Sequence, residues 1–152
     1  MRVAHVALQL DRGGMERLLT EFARHADTAR FELSFISLTS SGPMAAAIED
    51  AGWTVHAMEA GGGVQLGLVF ALARLFRERN LHLVHTHNTR PLLYAGLAAR
   101  LARVPAVVHT RHGQRSNASP RQNRLFSLAA RTADRMVCVS HDSRQMTIAE
   151  GV

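Results

Sequence analysis

The stretch VAHVALQLDRGGMERLLTEFARHA, residues 3–26, decides the fold of this chain. Val3 to Leu8 is a short, nearly continuous apolar run, which predicts a strand covered on both faces. Gly13 and Gly14 then break the run. Met15 to Ala26 follows with apolar side chains at helical spacing, which predicts an amphipathic helix. Its predicted apolar stripe consists of Leu18, Leu19, Phe22 and Ala26, opposite Arg17, Glu21 and Arg24.

The same alternation of strand and helix continues to the end of the chain, with no internal repeat. Alternation of this kind predicts an α/β fold with a parallel sheet. We therefore expect residues 1–152 to form a single three-layer Rossmann-like domain, with a mainly parallel sheet of six to seven strands and helices on both faces. The further predicted strands are Phe31 to Leu38, Trp53 to Met58, Leu81 to Thr86, Pro105 to Thr110 and Met136 to Val139. The further predicted helices are Met44 to Ala51, Leu66 to Arg79, Pro91 to Arg103, a helix capped by Ser119-Pro120 running to about Ala133, and Ser140 to Gly151.

Composition places the chain among ordinary globular proteins of a reducing compartment. It has 152 residues, of which 47% are hydrophobic and 20% charged. The single cysteine, Cys138, excludes an internal disulfide, and no secretory signal opens the chain, so a cytoplasmic location is expected. The longest apolar-leaning stretch, Val64 to Phe76, is well short of the ~20 residues that cross a bilayer.

The net charge of +6 is carried by arginine alone and is concentrated in one region. Such a region suits nucleic acid, anionic lipid or a phosphorylated substrate. Aromatic residues make up only 5% of the chain, which argues against base stacking, so nucleic acid is not an expected partner. The basic residues are Arg111, Arg115, Arg121, Arg124, Arg131 and Arg135, and we predict phosphate or lipid contacts for the first four.

The predicted helix after Ser119 has two interpretations. Its apolar residues alternate with arginines, as in a basic helix that lies on a membrane surface. The same pattern is typical of an amphipathic helix packed on a sheet. The residues concerned are Leu125, Phe126, Leu128 and Ala129 with Arg121, Arg124 and Arg131.

The polar residues of interest follow the predicted strands, where parallel sheets bind their ligands. The first group is Asp11 to Glu16. Gly13 and Gly14 allow backbone N–H groups to approach a phosphate at a helix start. The alternative is a plain tight turn in which Glu16 stabilises the helix. The dinucleotide fingerprint G-x-G-x-x-G is absent, which argues against a nicotinamide dehydrogenase.

The second group is His85-Thr86-His87-Asn88-Thr89-Arg90. Strand alternation places His85 and His87 on the same side, with Asn88 at the start of the next helix. A metal would need a third ligand, such as His109 or His112. Without a nearby cysteine or an H-E-x-x-H motif, no metal is expected. Two alternatives stay open: structural histidines bonded to backbone, or groups that bind hydroxyls or phosphate.

The third group, His109-Thr110-Arg111-His112-Gly113, closes the next predicted strand. His112 is expected to be exposed, so it can titrate near neutral pH, donate to phosphate or accept a proton. His5, His25, His56 and His82 lack such surroundings and are assigned to structure. In Ser140-His141-Asp142, Ser140 is expected to cap a helix, since neighbours in sequence cannot assemble a catalytic triad.

Together these motifs resemble the N-terminal domain of family-four glycosyltransferases, which are retaining sugar-nucleotide enzymes with two facing Rossmann-like domains. The matching residues are Gly13-Gly14-x-Glu16, Val84 to Asn88, Thr110 to Gly113 and Val137 to Ser140. The resemblance implies that Gly13 and Gly14 lie close to the donor diphosphate. It implies acceptor binding by Glu16, His87, Asn88 and Arg90, and contact of His112 with the transferring sugar as the catalytic residue.

The resemblance also implies partners that the chain itself does not contain. In that family a C-terminal domain supplies a basic pair and an E-x-x-x-x-x-x-x-E motif that hold the donor, and neither occurs here. We therefore expect this chain alone to be inactive. The expected partners are that domain, a sugar-nucleotide donor, a hydroxyl acceptor that is lipid-linked in envelope synthesis, and an anionic membrane surface; no cofactor is expected. The alternatives are a separate phosphate- or nucleic-acid-binding module and half of a sugar-nucleotide epimerase.

Overall fold

The computed structural model of the chain describes residues 1–112 and 119–152. Six strands alternate with helices in those ranges, as the sequence predicts, except that the one helix predicted between the fourth and fifth strands is divided into two short α-helices and a π-helical segment. The strands are β1 (Arg2–Ala7), β2 (Glu32–Ser37), β3 (Thr54–Ala57), β4 (Leu83–His87), β5 (Ala106–Arg111) and β6 (Arg135–Cys138). The helices are α1 (Gly14–His25), α2 (Ala45–Asp50), α3 (Leu66–Glu78), α4 (Thr89–Pro91), α5 (Leu97–Ala102), α6 (Pro120–Ala130) and α7 (His141–Ala149), and a π-helical segment, Leu92–Gly96, joins α4 to α5.

The strands form one open sheet in the order β3-β2-β1-β4-β5-β6, and every neighbouring pair is parallel. The predicted parallel α/β architecture is confirmed. The strand order reverses between β1 and β4, so these two strands flank the switch point where ligands bind in such sheets. The segments that follow β1, β4 and β5 therefore share one edge of the sheet.

Helices α1 and α2 cover one face of the sheet. The predicted stripe of α1 is only partly correct, because Leu19 and Ala23 are buried whereas Leu18 and Phe22 are each 39% exposed. Phe22 stacks on His5 instead of entering the aliphatic core. The core of this face includes Val3, Ala7, Leu19, Leu33, Phe35 and Ile48.

The other face of the sheet is covered by α3, α5 and the π-helical segment, with α6 beside them. The predicted helix from Pro91 begins earlier, at Thr89, and its π-helical turn brings Gly96 against Thr132. A Cβ at position 96 would overlap the Thr132 side chain, so glycine permits this close packing. The core includes Val6, Ile36, Leu72, Phe76, Val84 and Val107.

The last two helices start as the sequence predicts. Ser119 accepts from the backbone N–H of Gln122, and Ser140 accepts from that of Ser143, so both serines cap a helix. The predicted capping role of Ser140 is confirmed. Across residues 1–112 and 119–152, none of the helices combines the length and apolar character needed to cross a membrane.

Candidate functional site

Histidines from β1, from β4 and from the residue that follows β5 meet on the α1 face of the sheet. The pairing of β1 with β4 sets His5 directly opposite His85, and alternation puts His87 on the same face, as predicted. His5 Nδ1 lies 3.2 Å from His87 Nε2, and His87 Nδ1 lies 3.0 Å from His112 Nε2. We call His5, His87 and His112 the histidine chain. The assignment of His5 to structure alone missed this contact.

Aromatic stacking holds the inner end of the histidine chain. The His5 ring lies between those of Phe22 and Phe35, with centroids 5.3 Å and 5.2 Å away and interplanar angles of 21° and 14°. It also stacks on the His87 ring at 5.5 Å. His5 has a defined orientation in the core, because its backbone is part of β1 and its side chain packs against two aromatic rings.

These histidines are held in the neutral form. Burial, and then the neighbouring His85, lower the pKa of His5 to about 3. Burial also lowers the pKa of His85 to about 4 and that of His87 well below its usual value. The pKa of His112 is lowered by burial as well, so its ring is neutral at physiological pH. His112 was expected to titrate near neutral pH, but its burial moves the titration to a more acidic pH.

His109, one of two residues that a metal at this position would have needed as a third ligand, points to the opposite face of the sheet. Its Nδ1 lies 2.9 Å from Thr86 Oγ1, and its ring faces Phe126 at 6.0 Å. Burial lowers its pKa to about 3. Strand alternation explains this placement, since Thr110 and not His109 shares the face of His85, at 2.7 Å from its Nε2.

Among residues 1–112 and 119–152, the group that comes close enough to share a metal is instead His5, His85 and His87. One ring nitrogen of each lies within 4.8 Å of the other two. A divalent ion here would be bound by neutral imidazoles in a buried region, without a carboxylate or thiolate to balance its charge. The short His5–His87 distance is also that of a hydrogen bond. The sequence-based expectation of no metal stays a prediction.

A cavity of about 220 Å³ opens beside the outer end of the histidine chain. The resemblance implies that His87 lines an acceptor pocket. His87 does not line this cavity, because its side chain is fully buried. It reaches the cavity only through His112. The lining residues are Leu8, Asn88, Thr89, Arg90, Pro91, Arg111 and His112.

Asn88 adopts a backbone conformation that is almost restricted to glycine. Its φ of 66° and ψ of 169° cost an L-residue about 1–3 kcal/mol. Asn88 immediately follows β4, and its backbone N–H donates to the Thr110 carbonyl at 3.2 Å. An amide side chain at such a position, beside a cavity at a strand end, is typical of a functional site.

Arg90 connects this cavity to the glycine-rich segment 61–63. Its Nη2 donates to the Gly61 carbonyl at 2.8 Å, while the Tyr94 hydroxyl donates to the Gly63 carbonyl at 3.2 Å. No sequence motif marks these contacts, because they join residues about thirty positions apart.

The Gly13-Gly14 turn lies after β1, as predicted, but it lines a different cavity. That cavity, about 480 Å³, is also lined by Arg12, Arg17 and Arg24. A Cβ on Gly13 would overlap the half-buried Glu16 carboxylate, so that carboxylate folds back over the start of α1. A Cβ on Gly14 would meet no atom within 4 Å. The fold therefore has no steric need for glycine at position 14.

The four arginines predicted to contact phosphate or lipid have different surroundings. Arg111 is only 5% exposed, and its two Nη atoms donate to Glu150 at 2.7 Å and 3.0 Å, so its cation is already paired. This pairing does not favour the predicted role. Arg121 and Arg124 are exposed on α6, and Arg115 lies outside the described residues.

The open parallel sheet and the polar segments at its switch point define a Rossmann-like domain that can form one wall of a ligand cleft. The sequence model of Glycosyltransferase Family 4 matches residues 12–152, and the chain belongs to this family. The resemblance identified from the motifs is confirmed.

Three of the relatives found are described with a nucleotide sugar. The chain is 25% identical to the UDP-Gal:alpha-D-GlcNAc-diphosphoundecaprenol alpha-1,3-galactosyltransferase of Escherichia coli, over 99% of this chain and 41% of that protein. The structure of Anabaena HepE in complex with UDP-glucose has a TM-score of 0.77 and 20% identity, over 99% of this chain and 41% of that one. The structure of UDP-GlcNAc 2-epimerase from Neisseria meningitidis bound to UDP-GlcNAc has a TM-score of 0.66 and 13% identity, over 100% of this chain and 43% of that one. The chain thus spans about two-fifths of each relative.

Proposed function

We propose that this chain is the acceptor-side half of a two-domain enzyme that transfers a sugar from a nucleoside diphosphate sugar to a hydroxyl acceptor. The observation that carries the proposal is the placement of His112, Asn88 and Arg90 around one cavity at the switch point, in a chain of this family. Such a cavity offers both hydrogen-bond donors and acceptors to the hydroxyls of a sugar.

The turn after β1 supports contact with the donor diphosphate. Gly14 leaves open space at the positive end of the α1 dipole, and Arg12 and Arg17 line the adjoining cavity. A nucleotide held by a second domain across the cleft could bring its phosphates to this point. The Glu16 carboxylate lies beside Gly13 in this structure. For a phosphate to bind at the turn, the Glu16 side chain would have to move toward the acceptor, which we propose it binds.

In the proposed reaction an acceptor oxygen attacks the anomeric carbon of the donor sugar. The bond from that carbon to the diphosphate oxygen breaks, the nucleoside diphosphate leaves, and the proton of the acceptor hydroxyl passes to the departing diphosphate. Configuration is retained. Backbone N–H groups and arginines stabilise the charge on the departing phosphate, so no metal is required. His112 contacts the transferring sugar.

The relatives favour a lipid-linked acceptor in envelope polysaccharide, lipopolysaccharide or glycolipid synthesis. The Escherichia coli relative is named for a diphosphoundecaprenol-linked substrate. In this chain, the outer surface of α6 would face the membrane that carries such a lipid, on its cytoplasmic side. Leu125 and Leu128 are 44% and 63% exposed there, beside Arg121, Arg124 and Arg131. Phe126 and Ala129 pack inward, so α6 has both an inward apolar face and an outward basic and apolar surface.

Product analysis tests the proposal. The protein that carries this chain is incubated with UDP-galactose, UDP-glucose or UDP-GlcNAc and a GlcNAc-diphosphate-lipid acceptor, and products are identified by mass spectrometry and NMR of the anomeric proton. We expect an acceptor extended by one α-linked sugar, with release of UDP, and no transfer by residues 1–152 alone. Absence of an extended acceptor with every donor would contradict the proposal.

A sugar-nucleotide epimerase is the second candidate, favoured by the similarity of this fold to UDP-GlcNAc 2-epimerase. An epimerase converts its nucleotide sugar without an acceptor. Omitting the acceptor from the same reaction therefore separates the two activities: a new nucleotide sugar indicates an epimerase, whereas an unchanged donor agrees with a transferase.

A further inference from the structure

The hydrogen bonds of the histidine chain couple the tautomers of its three rings. His87 is bonded through both of its nitrogens, at 3.2 Å to His5 and at 3.0 Å to His112. A neutral imidazole has one N–H donor and one lone-pair acceptor. If His87 donates to one neighbour, it must accept from the other. The proton positions of the two end rings are therefore linked.

Two arrangements satisfy both hydrogen bonds. In one, all three rings carry the proton on Nδ1, and His5 donates to His87, which donates to His112. In the other, all three carry it on Nε2, and His112 donates to His87, which donates to His5. Neutral histidine intrinsically favours the Nε2–H form. The second arrangement puts all three rings in that form at once, so it is the one expected.

This arrangement determines what His112 presents to the cavity. With its proton on Nε2 and directed at His87, His112 has a lone pair on Nδ1. Arg90, on the same cavity, has only N–H donors, and its Nη2 is already bonded to the Gly61 carbonyl. Among the described lining residues, the side-chain acceptors for a substrate hydroxyl are therefore His112, the Asn88 carboxamide and the Thr89 hydroxyl.

We infer that His5 is a positioning residue: through His87 it holds His112 in the Nε2–H tautomer, so that His112 Nδ1 accepts a hydrogen bond from a substrate hydroxyl. The tautomer follows from the two hydrogen bonds of His87 together with the intrinsic preference of neutral imidazole for Nε2–H, and it does not depend on the proposed function. That the hydroxyl belongs to a sugar rests on the proposed function. His5 suits this role because Phe22 and Phe35 fix its ring, which keeps Nδ1 aimed at His87.

The proposal can be tested by NMR of the chain labelled with ¹⁵N-histidine, at about pH 7.5 where the rings are neutral. Long-range ¹H–¹⁵N spectra distinguish protonated from unprotonated ring nitrogens. We expect His112 in the wild-type chain to be protonated at Nε2 and unprotonated at Nδ1. A His112 ring protonated mainly at Nδ1 would overturn the inference without any variant.

Variants test the part played by His5. His5→Phe keeps a ring between Phe22 and Phe35 but removes the acceptor for His87, so we expect His112 to populate both tautomers. His5→Gln, whose carbonyl can accept from His87, should restore the Nε2–H form. His85→Phe is the matched control, because His85 is bonded to Thr110 and not to the histidine chain; it should leave His112 unchanged.

An unchanged His112 tautomer in a folded His5→Phe chain would contradict the inference. So would stoichiometric binding of Zn²⁺ that shifts the ring nitrogens of His5, His85 and His87, since the trio would then be a metal site. These results do not depend on sugar transfer. A failed transfer assay with the expected tautomers would reject the proposed function alone.

Discussion

His87 has no exposed surface, yet its Nδ1 lies 3.0 Å from Nε2 of the half-exposed His112 at the cavity. The buried core and the candidate site are therefore in direct hydrogen-bond contact. Under the proposed function, His87 acts without touching a ligand, because it orients the His112 ring, which contacts the sugar. The same contact makes the stability of the domain depend on the protonation of its site.

Acidification should destabilise the fold. The pKa values of His5 and His109 are lowered to about 3 in the folded chain, against about 6.5 when unfolded. Below pH 6.5 the unfolded chain therefore binds more protons than the folded chain. Each of these histidines then lowers the free energy of unfolding by about 1.4 kcal/mol for each pH unit of acidification. Urea unfolding between pH 7 and 5 measures this slope. His5→Phe should reduce the slope by the contribution of about one proton, and a folded His5→Phe variant with the wild-type slope would contradict the assignment.

Replacing Asn88 by glycine should separate stability from function. The substitution relieves backbone strain of about 1–3 kcal/mol and adds about 0.5–1 kcal/mol of chain entropy cost, so the free energy of unfolding should stay unchanged or rise. Transfer should fall because the carboxamide is lost from the cavity. Asn80→Gly is a matched control, since Asn80 also has a positive φ but follows α3, away from the site. Full transfer by the Asn88 variant would show that its side chain has no role.

Gly14→Ala should preserve the fold and weaken donor use. An alanine Cβ there meets no atom within 4 Å, and alanine favours a helix by up to about 1 kcal/mol over glycine. A donor phosphate approaching the turn would meet that methyl group, so KM for the donor should rise. Gly67→Ala at the start of α3 makes the same change with equally open space and should leave KM unaltered. If both variants kept the wild-type KM, the turn would not be a donor contact.

The outward surface of α6 should bind anionic membranes. Each arginine near such a surface contributes about 1 kcal/mol, so Arg121→Ala with Arg124→Ala should weaken binding to phosphatidylglycerol vesicles roughly thirtyfold. Cosedimentation measures the effect. Arg74→Ala with Arg77→Ala, on α3, removes the same charge elsewhere and should have little effect. Equal losses in the two variants would indicate that only net charge matters, and no binding by the wild-type chain would remove the membrane contact.

The sequence was sufficient to predict the architecture and the strand ends that carry polar residues. Apolar runs and glycine breaks identify each strand, and alternation places His85 and His87 on one face. The sequence could not predict the neighbours of His5, because the pattern of an apolar strand does not show which strands it pairs with. Only the pairing of β1 with β4 brings His5 to His85.

Two further differences between the prediction and the structure also arise from long-range contacts. Arg111 was expected to be available for phosphate, yet Glu150, 39 positions later, binds its guanidinium through the return of α7 to the sheet. Phe22 has the spacing of a core residue in α1 but stacks on His5 near the surface. Local periodicity does not specify which neighbour a helix residue meets.

The most direct test of the account is the transfer rate of a His112→Gln variant of the protein that carries this chain. If His112 contacts the transferring sugar, kcat should fall by at least about a hundredfold, with the fold intact by circular dichroism. His141→Gln, on the exposed start of α7, is the control and should keep the wild-type rate. A kcat for the His112 variant within twofold of wild type would contradict the central claim.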